Sequence, residues 1–365
     1  MKTCLILWYG YAVIGFKIIT TNSFLLRIKL KHAVRRALMN FRNFSKTGPR
    51  VSEIGLGCWQ LGGDWGDVDD FTAQKILEAA VQSGINFYDT PDVYGVCRSE
   101  ELLHKYLKPI APNAYIATKL GRFPDPGNSK NYTFENFRLF TENSLKRLNI
   151  DVLDLTQLHC IPTELMETGE VFEWLRELKQ QGKIKQFGAS VESISEAKTC
   201  LKQKGLASLQ IIFNIFRQKP ITELFDEAKS KGVSLIIRLP LASGLLGGKL
   251  NANTSFPEND HRLFNSDGQC FNVGETFAGI PFNIGLDIVE ELKKMTPEGM
   301  TLAQMSLRWI LDFDAVTVVI PGSKSPFQVP DNASATDLPS LPISLHNKLS
   351  SFYNKTISQH IRGKY

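Results

Sequence analysis

The stretch Gly84-Ile-Asn-Phe-Tyr-Asp-Thr-Pro-Asp-Val-Tyr-Gly95 decides how this chain is read. Residues 86–89 form a short, mostly apolar run that reads as a strand, and Asp89 closes it. Tyr94 follows in the next loop. Ser99 then reads as the cap of a helix running to Leu107, with Glu100 and Glu101 in the first turn, where the helix dipole favours acid. Working outward, Lys119 ends the run Tyr115-Ile-Ala-Thr-Lys119, and His159 ends the run 152–159. Successive strands therefore each end in an ionisable residue, with a tyrosine beside the first. Alone, each is ordinary: an Asp after a strand is usually a turn residue, and a Lys is usually solvated. Together, at corresponding strand ends, Asp89, Tyr94, Lys119 and His159 point to one pocket.

Further apolar runs end near 57, 189, 213 and 238, and the run 316–320 supplies an eighth strand. Patterns of helical period lie between them, at 71–82, 134–148, 170–181, 192–204, 222–231, 284–294 and 302–311. Strand and helix alternate throughout, which implies right-handed βαβ units and a parallel sheet. Eight such units predict an α/β fold, the parallel (β/α)8 TIM barrel, whose strand C-termini form the active face. A doubly wound sheet is the competitor. It is disfavoured because Gly55-x-Gly57 is not followed directly by a helix and has the wrong spacing for a dinucleotide fingerprint. A long loop rich in Gly, Asn and Pro, 239–281, follows the seventh strand, and a helical tail near 345–360 ends the chain. Such a long loop in a compact domain is usually functional or mobile, and this one is expected over the active face.

The chain has 365 residues and a formal net charge of +5, but the charge is unevenly spread. Residues 1–52 hold ten Lys or Arg and no acid, which leaves 32 basic against 37 acidic residues in the remainder. The body is mildly acidic and gives no reason to expect nucleic acid. The six cysteines, at 4, 58, 97, 160, 200 and 270, contain no C-x-x-C pair. Neither a metal site nor a disulfide framework is indicated, and a reducing, cytoplasmic setting fits best. Residues 1–38 form a separate N-terminal extension, basic and apolar, ahead of a barrel domain at 39–365. The apolar run in it is short for a spanning helix. The extension reads as an anchor, as an organelle-targeting segment, or as sequence upstream of a true start at Met39. The last is preferred, because the chain from Met39 onward has all eight strands. A membrane is a partner only if the extension is a real anchor.

A tyrosine holds its proton at neutral pH, with an ordinary pKa of about 10. An ammonium nearby would lower that value, and Lys119 is the expected source, held in place by Asp89. His159 can donate to a substrate carbonyl oxygen. The set is suited to protonating that oxygen as negative charge develops on it. No Ser or Cys nucleophile with an adjacent base is evident, so hydride from a nicotinamide would complete the reaction. A Schiff-base lyase using Lys119 is an alternative.

These residues carry a resemblance. The chain from about Phe41 to Asn332 resembles the aldo-keto reductases, through Asp89-Thr-x-x-x-Tyr94-Gly, Lys119 and Leu158-His159 as the catalytic tetrad. The resemblance extends to Gly182-Lys-Ile-Lys-Gln-Phe-Gly-Ala-Ser190, Gln210, Pro240-Leu-x-x-Gly-Leu-Leu-x-Gly-Lys249 and Ile320-Pro-Gly-Ser-Lys-Ser-Pro-Phe-Gln-Val-Pro-Asp-Asn332. It implies the same barrel, NADP(H) or NAD(H) bound without a Rossmann domain, and a small-molecule aldehyde or ketone as substrate. It also implies that Ser190 and Gln210 hold the nicotinamide carboxamide, and that the backbone near Gly244 approaches the pyrophosphate. Ser323, Lys324 and Gln328 would surround the adenosine 2′-phosphate, Asp331 and Asn332 the adenine, and Trp59 and Trp65 the substrate. The chain departs from the family pattern in several places. Val191 stands where many members have Asn. Arg238 stands where many have an aromatic ring against the nicotinamide, and it can stack there, pair with a phosphate or pair with a substrate carboxylate. Gln328 stands for the phosphate-binding Arg. A non-catalytic NADP-binding regulatory subunit, such as the channel-associated β-subunits on this barrel, is a further alternative.

Overall fold

In the computed structural model, which describes residues 39–365, the eight apolar runs lie side by side as parallel strands. They are β3 (Leu56–Gly57), β4 (Phe87–Asp89), β5 (Tyr115–Leu120), β6 (Leu153–His159), β7 (Ile184–Ser190), β8 (Ser208–Ile212), β9 (Ser234–Arg238) and β10 (Val316–Val319), in that spatial order. The first and last are joined by parallel bridges, Ile54 to Val319 and Gly57 to Gly322, so the sheet closes. The amide of Gly55 donates to Val319 O at 2.8 Å, and the amide of Val319 donates to Glu53 O at 2.9 Å. A side chain at Gly57 would put its Cβ 2.9 Å from the carbonyl of Ile320, and glycine allows the approach.

Strand parity sets the site. Successive side chains on a strand point to opposite faces. Phe87, Tyr115, Ala117, Leu155, Ile236 and Val318 fill the barrel interior as one apolar cluster. Two residues beyond Phe87, Ala117 and Ile236 stand Asp89, Lys119 and Arg238, and His159 stands four beyond Leu155. The same inward parity that buries the apolar residues therefore aims the polar ones into the mouth of the barrel.

Helices cover the outer face. They are α1 (Asp70–Gln82), α2 (Arg98–Leu102, continued by a wider turn to Leu107), α3 (Phe134–Leu148), α4 (Glu170–Gln180), α5 (Ile194–Leu201), α6 (Phe225–Lys231), α7 (Phe282–Lys293), α8 (Leu302–Leu311), α9 (Gln328–Ala333) and α10 (Ile343–Phe352). Their starts carry side-chain caps where the sequence has them: Asp69, Thr133 and Ser193 each accept from the third amide on, and Thr301 with Gln304 forms a capping box.

Some expectations are corrected. The apolar stretch that ends near 57, read over 51–56 as a single strand, is not one strand. Its first part, Arg50–Ser52 (β2), pairs antiparallel with Phe41–Asn43 (β1), and only the end enters the barrel. This hairpin brings Phe44 against Phe87 and Tyr115 at 5.8 and 5.2 Å between ring centroids, closing the N-terminal end. Ser99 does not cap α2, because Cys97 in the left-handed region precedes the helix. Its hydroxyl instead donates to Cys58 O at 3.2 Å and accepts from Thr90 Oγ1. Glu100 is fully buried, paired with Arg147 on α3 at 2.6 Å and accepting from Thr118 on β5. Tertiary partners outweigh the local cap signal at Ser99, while Glu100 and Glu101 stand in the first turn as expected. The pattern 222–231 breaks at Leu224, which leaves a short turn Pro220–Glu223 before α6. The long loop 239–281 is ordered by short turns and by cross-loop bonds, among them a bridge from Trp65 to Asp260. Among the described residues, no helix is long and apolar enough to cross a membrane. The extension 1–38 lies outside the described residues.

Candidate active site

At the mouth of the barrel, Lys119 Nζ lies 2.6 Å from Asp89 Oδ2, and both side chains are almost wholly buried. The second oxygen of Asp89 accepts from Gln210 Nε2 at 2.6 Å. Gln210 Oε1 in turn accepts from Ser190 Oγ at 3.3 Å, and Ser190 Oγ is 3.5 Å from the thiol of Cys160. A chain of hydrogen bonds thus runs across four strand ends, from β5 through β4 and β8 to β7. Above it, the Tyr94 ring sits 5.2 Å from Lys119 Nζ. Trp59 stacks on Tyr94 at 5.6 Å and 10°, and His159 meets the tyrosine edge-on at 6.1 Å.

These groups face a cavity of about 310 Å³. Tyr94, His159, Asp89, Ser190, Gln210, Arg238 and Gly244 line it, as do Trp59, Trp65, Lys324, Gln328, Asp331 and Asn332. Lys119 is not on its wall and reaches it only through Asp89 and Tyr94. Ser323 is not on the wall either; it is buried and accepts from Asn332 Nδ2 at 3.5 Å. Gln328 Oε1 accepts from the backbone amide of Lys324 at 2.7 Å. Trp65 packs edge-on against Trp59 at 5.6 Å, so both indoles form one aromatic wall with His261.

The electrostatics depart from expectation at Tyr94. Burial, then the carboxylates of Asp89 and Glu275, hold the phenol well above its ordinary value, while Arg238 and Arg122 pull against them. Lys119 does not make the phenol acidic, because its charge is matched by Asp89 at 2.6 Å. Burial, reinforced by Arg122, Lys119 and Arg238, holds the His159 imidazole well below its ordinary value, so the ring is neutral at physiological pH. Its Nδ1 has no partner among the described residues.

The profile of the Aldo/keto reductase family matches residues 53–354. The chain belongs to the aldo-keto reductase family. It is 30% identical over 297 residues to the aldo-keto reductase YhdN of Bacillus subtilis, covering 80% of this chain and 87% of that one. Among solved structures it is similar to the glycerol dehydrogenase AKR11B4 from Gluconobacter oxydans, with a TM-score of 0.71, 25% identity, and coverage of 91% of this chain and 99% of that chain. A probable voltage-gated potassium channel subunit beta of Oryza sativa is 28% identical over 320 residues, 82% of this chain and 92% of that one. The protein is an NAD(P)H-dependent oxidoreductase that interconverts a carbonyl compound and its alcohol.

The cavity of this reductase also contains residues that the sequence reading did not single out. Lys249 and Arg262 join Lys324 on the wall. Burial and the Arg262 guanidinium hold the Lys324 ammonium below its ordinary value, which marks a place where cations crowd. Arg262 is clasped by Asp260, with Oδ1 and Oδ2 at 2.8 and 2.6 Å. A Cβ at Gly247, also on the wall, would meet no atom of the described residues within 4 Å. Cations at one end, a bare backbone along the side and amide and hydroxyl groups at the base fit a dinucleotide, and family members use nicotinamide cofactors. The other addition is Glu275. It reaches in from the long loop to Arg122 at 3.1 Å and to Arg238 at 3.5 Å. Arg238 also donates to Val191 O at 3.2 Å, so its guanidinium is already engaged. Nothing in the local sequence links residues 122, 238 and 275. Cys160, Glu192 and Glu275 place donor atoms within 4.8 Å of one another, but Arg122 already pairs with both carboxylates.

Proposed function

We propose that Tyr94 is the general acid in carbonyl reduction, supported by Lys119, Asp89 and His159, and that the cofactor is NADP(H) in preference to NAD(H). The observation that carries this reading is the buried Asp89–Lys119 pair at 2.6 Å beneath the Tyr94 ring, with His159 on the same cavity wall. A reduced nicotinamide held beside Ser190 and Gln210 would supply hydride to the carbonyl carbon. The carbonyl oxygen, gaining charge, takes the Tyr94 proton. The high pKa of the phenol ensures that the proton is present at neutral pH. The ammonium 5.2 Å from the ring centroid then offsets the phenolate charge. The neutral His159 ring has one N–H to orient the carbonyl oxygen.

The cofactor assignment rests on the cation set at the far end. Lys324, with Lys249 and Arg262, would meet the phosphates, and Gln328 would add neutral hydrogen bonds to a 2′-phosphate. Gly244 and Gly247 would let the pyrophosphate approach the backbone. Ser190 and Gln210 would meet the carboxamide, although Gln210 is shared with Asp89. Arg238 would stand beside the nicotinamide, and Asp331 and Asn332 beside the adenine. Trp59 and Trp65 would contact the substrate. A Schiff base on Lys119 is disfavoured, since that amine is buried, paired and off the cavity wall. The free cysteines Cys58, Cys97, Cys160, Cys200 and Cys270 support a reducing compartment such as the cytoplasm.

The test is a panel of aldehydes, ketones and sugars with NADPH and NADH, following the absorbance of the reduced nicotinamide. Turnover faster with NADPH is expected. Cofactor binding without turnover of any carbonyl compound would favour a regulatory subunit instead, and borohydride trapping of substrate on Lys119 would favour a lyase.

A further inference from the structure

Arg238 ends β9 at the cavity wall beside Tyr94 and His159, and such a guanidinium is suited to an anionic substrate. Its charge is already answered. Glu275 Oε1 lies 3.5 Å from Arg238 Nη1 and 3.1 Å from Arg122 Nη2, with the Glu275 side chain only 5% exposed. Arg122 also pairs with Glu192 at 3.3 Å, and Lys364 joins Glu192 at 3.7 Å and Glu196 at 3.0 Å. Cations and carboxylates in this cluster are equal in number. Burial pushes the Glu275 carboxyl up, but Arg122 and Arg238 outweigh it and hold it below the ordinary range, so it is ionised at neutral pH. Of the carboxylates in the cluster, only Glu275 is on the cavity wall.

We propose that Glu275 makes this reductase selective for uncharged carbonyl compounds, by occupying Arg238 and Arg122 with its own carboxylate at the wall beside Tyr94. The inference rests on the reductase reading of the site. A substrate carboxylate entering here meets a guanidinium whose partner it would have to displace, and that partner is an anion held by two arginines. An uncharged aldehyde has no such competitor. Removing the Glu275 charge leaves the two guanidiniums to share Glu192, and the wall gains one positive charge. A one-charge change at contact range in a partly dry cavity alters discrimination by roughly 10- to 100-fold.

The test compares kcat/KM with NADPH for butanal and succinic semialdehyde, matched in chain length, in wild type, Glu275→Gln and Glu275→Asp. The wild type is expected to favour butanal. In Glu275→Gln the ratio should shift toward succinic semialdehyde by at least 10-fold, and Glu275→Asp should restore the wild-type direction. The ratio cancels any loss of active fraction. Glu192→Gln removes a carboxylate of the same cluster from outside the cavity, and should shift the ratio the same way by less, which covers the case in which Glu275→Gln does not fold. A wild type that prefers succinic semialdehyde, or an unchanged ratio in Glu275→Gln, or in Glu192→Gln where only that variant folds, overturns the inference and leaves the reductase reading intact. A wild type that reduces no aldehyde overturns both.

Discussion

Replacing Lys119 by Met removes the cation at the centre of the site and leaves Asp89 as a buried carboxylate. The magnitude follows from the geometry. At 2.6 Å, the direct attraction is about 6 kcal/mol with an effective dielectric constant of about 20. Much of that offsets the desolvation of both ions, and breaking such a pair from one side typically costs about 3–5 kcal/mol. Gln210 Nε2 still donates to Asp89 at 2.6 Å, a charge-assisted bond that keeps the loss near the lower end. We therefore expect Lys119→Met to lose about 3 kcal/mol of unfolding free energy. Asp89→Asn combined with Lys119→Met should recover most of it, because no isolated charge remains. The assay is urea unfolding of both single variants and the double variant, read as a double-mutant cycle. Turnover should fall by about 10²-fold or more in Lys119→Met and in the double variant, because the phenolate is no longer offset, and by less in Asp89→Asn, which keeps the ammonium. Additive losses in the cycle, or a Lys119→Met variant with near-normal hydride transfer, would refute the reasoning.

Other outcomes follow from the same contacts. Tyr94→Phe should lower single-turnover hydride transfer by about 10²–10⁴-fold with little change in cofactor affinity by fluorescence, and near-normal transfer would make His159 the acid. Gln328→Arg should tighten NADPH more than NADH, since Arg offers phosphate a bidentate fork; equal changes in the two dissociation constants would remove residue 328 from the 2′-phosphate. Asp92 is buried, its Oδ1 has no partner among the described residues, and burial, then Glu100, push its pKa up to about 8. The folded state therefore holds a proton there that the unfolded chain has released, and stability attributable to this group falls as pH rises from about 4 to about 8. The stabilisation in Asp92→Asn should be absent near pH 4 and reach a few kcal/mol by pH 8, as thermal melts across that range would show. A chain beginning at Met39 should fold and turn over substrate as the full chain does; loss of the folded state on circular dichroism would show that residues 1–38 are needed.

Short apolar runs alternating with patterns of helical period, with ionisable residues at the strand ends, were enough to read the barrel from the sequence. Each of the eight strands is short and apolar, and each is separated from the next by a helical pattern or a punctuated loop, so local order implies a parallel sheet, while the bridges from Ile54 to Val319 and from Gly57 to Gly322 close it. The same parity determines that Asp89, Lys119, His159 and Arg238 share one mouth, since each lies an even number of residues from an interior side chain. What local sequence could not decide is where a polar side chain finds its partner. Ser99 and Glu100 carry the signals of a helix start, yet Thr90, Thr118 and Arg147 claim them through contacts that only folding creates. The upward shift at Tyr94 comes first from burial, then from Asp89 and from Glu275, which arrives from a loop 181 residues further along. Arg238 likewise looked like a free cation until that loop closed over it. Backbone period is a local property and survives in sequence, whereas the field at a buried atom sums charges from every element that packs around it, and only the tertiary structure brings those charges together.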